Sequence, residues 1–120
     1  MTLTEYNRFC RTLPATSHVV QWGGSHVWKV GGKVFAIGSV EARNAHVTFK
    51  VNDIAWEMLR EKPGLRPAPY LASRGLTWIQ RTDNRTLGDA ELEDYLRASY
   101  ALIVAALPRK AQRELEPDRK

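Results

Sequence analysis

The twenty residues 18–37, HVVQWGGSHVWKVGGKVFAI, constrain the fold most, because two Gly-Gly pairs separate Val-rich segments there. A Walker-type phosphate loop needs GxxxxGK followed by Ser or Thr and then a helix, whereas Gly31-Gly32-Lys33 leads into a strand pattern. Gly31-Gly32 has the two-residue spacing of a primed β-turn, since glycine tolerates positive φ at both central positions. Gly23-Gly24 is expected to make the preceding turn. The stretch therefore predicts short antiparallel strands and no phosphate cradle.

The rest of the chain alternates further strand and helix patterns. The capping-box spacing of Thr2 and Glu5 predicts a short first helix, and Asn52 is expected to cap a second helix over 53–61. A stripe at helical spacing predicts a long last helix ended by Pro108, with the members Leu92, Tyr95, Leu96, Ser99, Tyr100, Ile103, Ala106 and Leu107. Strands are predicted at 19–22, 26–30, 33–38, 46–51 and 76–81. These elements predict a two-layer α+β domain, an antiparallel sheet with helices packed on one face.

Length and composition limit the organisation of this domain. A chain of 120 residues has room for one core, which we place in 1–108, followed by a charged C-terminal tail over 109–120. We expect this tail to be dispensable or a frayed helical extension. No apolar run reaches the ~18 residues of a membrane span, and MTLTEYNRFC does not resemble a signal peptide. Cys10 is the only cysteine and is expected on the inner face of the first helix. We expect a cytoplasmic protein without membrane contact. The sequence leaves the oligomeric state open and favours a monomer.

The net charge of +5 favours a polyanionic partner. Residues 60–85 contain six Arg or Lys and only two acidic residues. Arginine pairs with phosphate bidentately, and Trp78 among these arginines offers a stacking surface. We therefore predict a DNA-binding protein that contacts duplex phosphates with little sequence preference, using Lys29 and Lys33 on a β-hairpin together with Arg74, Arg81 and Arg85. A solvated basic sheet face remains the alternative interpretation of the two lysines.

Patterns for enzyme chemistry are weak. His18, His26 and His46 lie on separate strand segments without metal-ligand spacing, and no GxSxG elbow is present. Acidic residues at 89–94 fit the first turn of a helix, where carboxylates offset the helix dipole. We therefore predict a non-enzymatic protein without a metal or cofactor.

An aromatic groove is the second function hypothesis. Tyr70, Trp78 and Tyr100 are candidates to line a groove between the sheet and the last helix, which would take a small ligand or a protein segment. Trp78 follows Leu76 at strand spacing, so burial of Trp78 in the core is the alternative.

The order of four segments, QWGGSHVWKVGGKVFAI, HVTFKV, PAPYLASRGLTWIQ and SYALIVAALP, resembles the MmcQ/YjbR family of small bacterial proteins over nearly the whole chain. The most specific pieces are GKVFA at 32–36, the segment 70–78 and the Ser99-Tyr100 pair. The resemblance implies an antiparallel sheet covered on one side by helices, a shape related to CyaY-like proteins, and a DNA-binding role. Many members have a His-Met-Asn type sequence after the tyrosine that corresponds to Tyr70. This chain has Leu71-Ala72-Ser73 there, so no role of that histidine is carried over.

Overall fold

In the computed structural model, which describes residues 1–41, 44–69, 71 and 75–115, strands and helices form a two-layer α+β fold. The strands are β1 (Thr16–Gln21), β2 (Ser25–Val30), β3 (Lys33–Glu41), β4 (Asn44–Lys50), β5 (Leu65–Pro67) and β6 (Trp78–Arg81). The helices are α1 (Leu3–Thr12), α2 (Asp53–Leu59), α3 (Asp89–Ala106) and α4 (Arg109–Glu114). All strand pairs are antiparallel, in the order β1-β2-β3-β4-β6-β5. The predicted fold class is confirmed.

The two glycine pairs make the turns that the sequence predicts. Gly31 and Gly32 have φ of +58° and +78° between the paired residues Val30 and Lys33. Both values lie in the left-handed region that a primed turn requires. The first turn also includes Trp22, whose φ of +53° removes it from β1. Strand β1 therefore ends at Gln21 and extends back to Thr16, three residues before the predicted start, because β2 supplies partners along that length.

The sheet order was not evident from the sequence. Strand β6 pairs with β4 on one side and with β5 on the other, so the later strand is inserted inside the sheet. The short β5 is left at the edge, where Pro67 costs no ladder hydrogen bond. Arg66 and Pro67 thus belong to an edge strand and not to the interior of the sheet.

Helices α1 and α3 cover one face of the sheet. Helix α3 buries Leu92, Leu96, Ser99 and Ile103, in agreement with the predicted stripe, although Ala106 is exposed. On α1, the predicted capping box is formed, and Cys10 lies among the buried residues. Tyr6 of α1 donates its hydroxyl to the carbonyl oxygen of His26 at 2.9 Å. Its ring occupies the space where a Cβ on Gly38 would be, so the glycine permits this close approach.

The charged tail begins as helix α4. The side-chain amide of Gln112 in α4 donates to the carbonyl oxygen of Leu107, at the end of α3, at 2.8 Å. This bond ties α4 to the end of α3. Leu115 is half-buried against the core cluster. The tail therefore contributes a contact up to residue 115, and residues 116–120 lie outside the described chain. Among the described helices, none is long and apolar enough to cross a membrane.

Candidate binding groove on the open face of the sheet

The sheet face away from α1 and α3, here called the open face, is organised in rows by the strand register. Cross-strand partners point to the same side of a sheet, and side chains alternate along each strand. The central row of the open face runs across the six strands through Val19, Val27, Ile37, Thr48, Gln80 and Arg66. This row changes from apolar residues on β1 to β3 into polar residues on β4, β6 and β5.

A groove of about 600 Å³ lies over this face. Its sheet residues are Ser25, Ile37, Ser39, Thr48 and Gln80. Trp22, 64 % exposed, borders it at the β1–β2 turn, and Ala68, Pro69 and Leu71 border it after β5. The described lining therefore combines apolar surface with neutral hydroxyl and amide groups and carries no charge.

A chain of hydrogen bonds orders the polar half of the groove. Arg66 Nε donates to Gln80 Oε1 at 2.7 Å, and Gln80 Nε2 donates to Thr48 Oγ1 at 3.4 Å. The guanidinium thus sets the orientation of the Gln80 amide, because only the amide oxygen accepts a hydrogen bond. Thr48 is 4 % exposed, whereas Arg66 is exposed at the margin. The chain links a cation at the edge to the neutral centre of the groove.

Among the described residues, three cations belong to the open face: Lys29, Lys50 and Arg66. Lys29 pairs with Val34, Lys50 with Trp78 and Arg66 with Gln80, which places all three on this side by strand alternation. Lys29 and Lys50 are on strands separated by β3, about 10 Å apart. Among the described residues, no carboxylate is within ion-pair distance of these cations. Their charges are therefore not neutralised by a described carboxylate.

The basic residues proposed from the sequence do not share one described surface. Lys33 is exposed at the hairpin tip, but its partner Val30 places it on the side opposite Lys29. Arg85 is exposed and paired with Asp83 at 2.9 Å, and its hydrogen bonds lower the pKa of that carboxyl. Arg74 lies outside the described residues. Of the set, Lys29 alone is described on the open face.

Arg81, one of the basic residues predicted to contact phosphates, is buried. It is 4 % exposed, with Nε donating to the carbonyl oxygen of Asp83 and Nη2 donating to Asp89 Oδ1, both at 3.1 Å. Asp89 also accepts from the Met1 ammonium at 2.9 Å, and this bond and Arg81 lower the pKa of the carboxyl. A phosphate would have to displace Asp89 to reach Arg81. The sequence could not show this, because Arg81 and Asp89 meet through the loop that joins β6 to α3.

The predicted aromatic groove is not assembled by its described members. Trp78 is 7 % exposed, in accord with the burial that was the alternative, although its pairing with Lys50 puts it on the open-face side of β6. The Tyr100 hydroxyl donates to the carbonyl oxygen of Pro14, between α1 and β1, at 2.6 Å, and its ring packs edge-on against Phe35 of β3. Tyr100 borders a separate depression beside α4. Tyr70 lies outside the described residues.

Two of the three histidines form a hydrogen-bonded cluster with α1. His18 Nε2 lies 3.0 Å from His26 Nδ1, and the Asn7 amide nitrogen lies 3.1 Å from the same Nδ1. Asn7 also accepts from Trp28 Nε1 at 2.9 Å, and the His18 ring stacks on Trp28. Burial, assisted by His26 and Arg11, lowers the pKa of His18. Among the described residues, no three His, Cys, Asp or Glu side chains are grouped to hold a metal.

Sequence reasoning missed the residues that the open face brings together. Trp22 was assigned to a strand, and Lys50 and Arg66 were counted only as part of the general charge. The sequence shows that these residues alternate with apolar neighbours. Alternation alone does not show which residues of different strands share a face, because that also requires the register of all six strands.

Comparison with known proteins supports the family and the fold. The YjbR family model matches residues 11–102. A crystal structure of Deinococcus radiodurans protein DR2400, with a DUF419 domain, is similar with a TM-score of 0.83 and 22 % identity, covering 99 % of this chain and 91 % of that chain. A Pseudomonas syringae protein, structural genomics target PsR293, is similar with a TM-score of 0.68 and 20 % identity, covering 85 % of this chain and 98 % of that one.

No curated protein matches the sequence. At these identities the two crystal structures bear on the fold alone, whereas the family model spans most of the chain, including the glycine turns and most of α3. The chain therefore belongs to the YjbR family.

Proposed function

We propose that this protein binds nucleic acid without catalysis, through the open face of its sheet. The observation that carries the proposal is the position of a neutral groove bordered by Trp22 beside three cations that have no described carboxylate partner. Aromatic stacking surfaces and a positive backbone track are the two components of a surface that binds single strands. The charge of +5 adds long-range attraction for polyanions.

The geometry favours a single strand over the duplex that the sequence suggested. The groove has a volume of about 600 Å³ for a base, with Trp22 as a stacking surface and Gln80, Ser25 and Ser39 as neutral hydrogen-bonding groups. In a duplex the base faces are already stacked on one another, so only an unpaired base can stack on Trp22. Lys29, Lys50 and Arg66 then contact the phosphates outside the groove. Three such contacts correspond to a log-log salt slope of about −2 for a single strand and about −3 for a duplex.

The test is fluorescence anisotropy at low ionic strength with a labelled oligothymidine, the matching duplex and heparin as a competitor. Lys50→Glu with Arg66→Glu should weaken single-strand binding at least tenfold. Lys33→Glu with Lys110→Glu is the matched control, because it changes the net charge equally on exposed residues off the open face. Equal losses in both double variants would show attraction by net charge alone. No salt-dependent binding to any of the nucleic acids would refute the proposal.

Trp22→Ala tests the base-binding part separately. Stacking contributes about 1 to 3 kcal/mol per base, so this variant should weaken oligothymidine binding at least fivefold and leave heparin binding unchanged. A variant that loses affinity for both equally would contradict a stacking role.

A neutral small ligand is the second candidate occupant, because the described groove lining is uncharged. In that case quenching of Trp22 by free nucleosides would occur without salt dependence, and the Lys50→Glu/Arg66→Glu variant would respond like the parent.

A further inference from the structure

The two edges of the sheet differ in their protection against strand addition. Natural proteins block exposed edges with short strands, charges and proline. The β5 edge has all three features, since it is three residues long and contains Arg66 and Pro67. The β1 edge has none of them, since its six residues TSHVVQ include neither a charged residue nor proline.

Strand β1 has a partner on one side only within the described part of the chain. Its other side presents backbone N–H and C=O groups that another strand can satisfy. The apolar side chains beside it are open to solvent: Val19 is 38 % exposed on the open face, and Val20 is 53 % exposed on the helix-bearing face. An uncharged apolar edge of this length is a surface for adding a strand.

We propose that β1 pairs antiparallel with β1 of a second copy of this chain, about a two-fold axis that passes through Val19 perpendicular to the sheet. A two-fold interface must be self-complementary. Strand β1 meets this condition, because it carries no Asp, Glu, Lys or Arg that would face its own copy and its side chains alternate regularly between the two faces of the sheet. Val19 then faces its own counterpart, Ser17 faces the second copy's Gln21, and His18 faces the second copy's Val20. A shift of one residue would place opposite faces against each other, so the pleat excludes it.

Pairing of the two β1 strands would join the sheets of both copies. A two-fold axis perpendicular to the sheet keeps both open faces on the same side, so the two described sheets become one twelve-stranded sheet. The helix layers of both copies lie together on the other side. This assembly does not depend on what occupies the groove, and it differs from the monomer that the sequence favoured.

Sedimentation velocity from about 5 to 500 µM tests the pairing, because small interfaces dissociate in this range. The parent should shift from monomer to dimer. Val20→Lys should weaken the dimer at least tenfold, since an edge lysine opposes strand addition. Val40→Lys is the matched control, because Val40 is 54 % exposed on β3, away from this edge, and it should change the dissociation constant less than twofold.

Crosslinking tests the register. Val19→Cys treated with a short bismaleimide should give a covalent dimer, whereas Val40→Cys should not, and the native Cys10 is buried. A parent that stays monomeric throughout the series, or a Val20→Lys variant that dimerises as well as the parent, would overturn the proposal. Equal crosslinking at positions 19 and 40 would do so as well.

Discussion

Ser99 is the polar group whose loss should most directly test how α3 holds the sheet. Its side chain is 0 % exposed, its hydroxyl donates to the carbonyl oxygen of Phe35 at 2.7 Å, and its Oγ accepts from the Lys50 amide at 2.9 Å. One hydroxyl therefore satisfies backbone groups of both β3 and β4. Ser99→Ala leaves both groups buried without that partner.

The expected cost follows from these two orphaned groups. A buried polar group without a partner costs about 1 to 3 kcal/mol, and a carbonyl costs less than an N–H because it has two lone pairs. We expect Ser99→Ala to lower the free energy of unfolding by about 2 to 4 kcal/mol, and the melting temperature by about 8 to 16 °C. Little of this comes from lost volume, because alanine differs from serine by one oxygen atom.

Urea unfolding followed by circular dichroism measures the change, with the m-value as a check on two-state behaviour. Ser17→Ala is the matched control, since Ser17 is exposed on β1, and it should cost less than about 0.5 kcal/mol. An equally small cost for Ser99→Ala would refute the inference that this hydroxyl anchors α3 to the sheet.

Three further predictions concern the core, the histidine cluster and the C-terminal helix. Ile103→Ala, which truncates a buried residue of α3, should cost about 2 to 5 kcal/mol in urea melts; a cost under about 0.5 kcal/mol would contradict the packing of that face. The pKa of His18 is lowered by burial and by His26, so the unfolded chain binds more protons at this site than the folded chain does. Stability from this group is therefore complete above the unfolded pKa of about 6.5 and is lost as the pH falls through and below that value; urea melts at pH 7.5 and 5.5 should show the loss in the parent and a smaller one in His18→Gln. Leu115→Ser should lower the melting temperature as much as truncation after Gln112 does, because the half-buried Leu115 is the apolar contact that the truncation removes; an unaltered melting temperature in both would show that the Leu115 contact adds no stability.

Much of the local structure was determined by short-range sequence patterns. The Gly31-Gly32 turn, the Thr2 and Asn52 caps and the apolar stripe of α3 depend on backbone sterics or on contacts within a few residues. The fold class followed from these elements, because an alternating strand and a striped helix each need an apolar partner surface.

The face on which each cation lies did not follow from counting charge along the chain. Lys29 and Lys33 flank the same two-residue turn, yet they lie on opposite faces, because Lys33 pairs with Val30 and Lys29 pairs with Val34. Counting charge along the chain could not separate them. Arg81 shows the same limit, since its burial depends on Asp89 and on the Met1 ammonium, the latter 80 positions away.

The sequence alone determined the turns, the helix caps, the apolar stripe of α3 and the kind of domain they make, since each depends on neighbouring residues. Only the tertiary structure decided the strand order, the exposure of each cation and the position of the groove. Strand β6 enters between β4 and β5, and this insertion brings Thr48, Gln80 and Arg66 into one hydrogen-bonded row. The residues that bond there are 14 and 32 positions apart in the chain. They meet because of the way the strands are ordered in the sheet, and no local sequence pattern specifies which strands become neighbours.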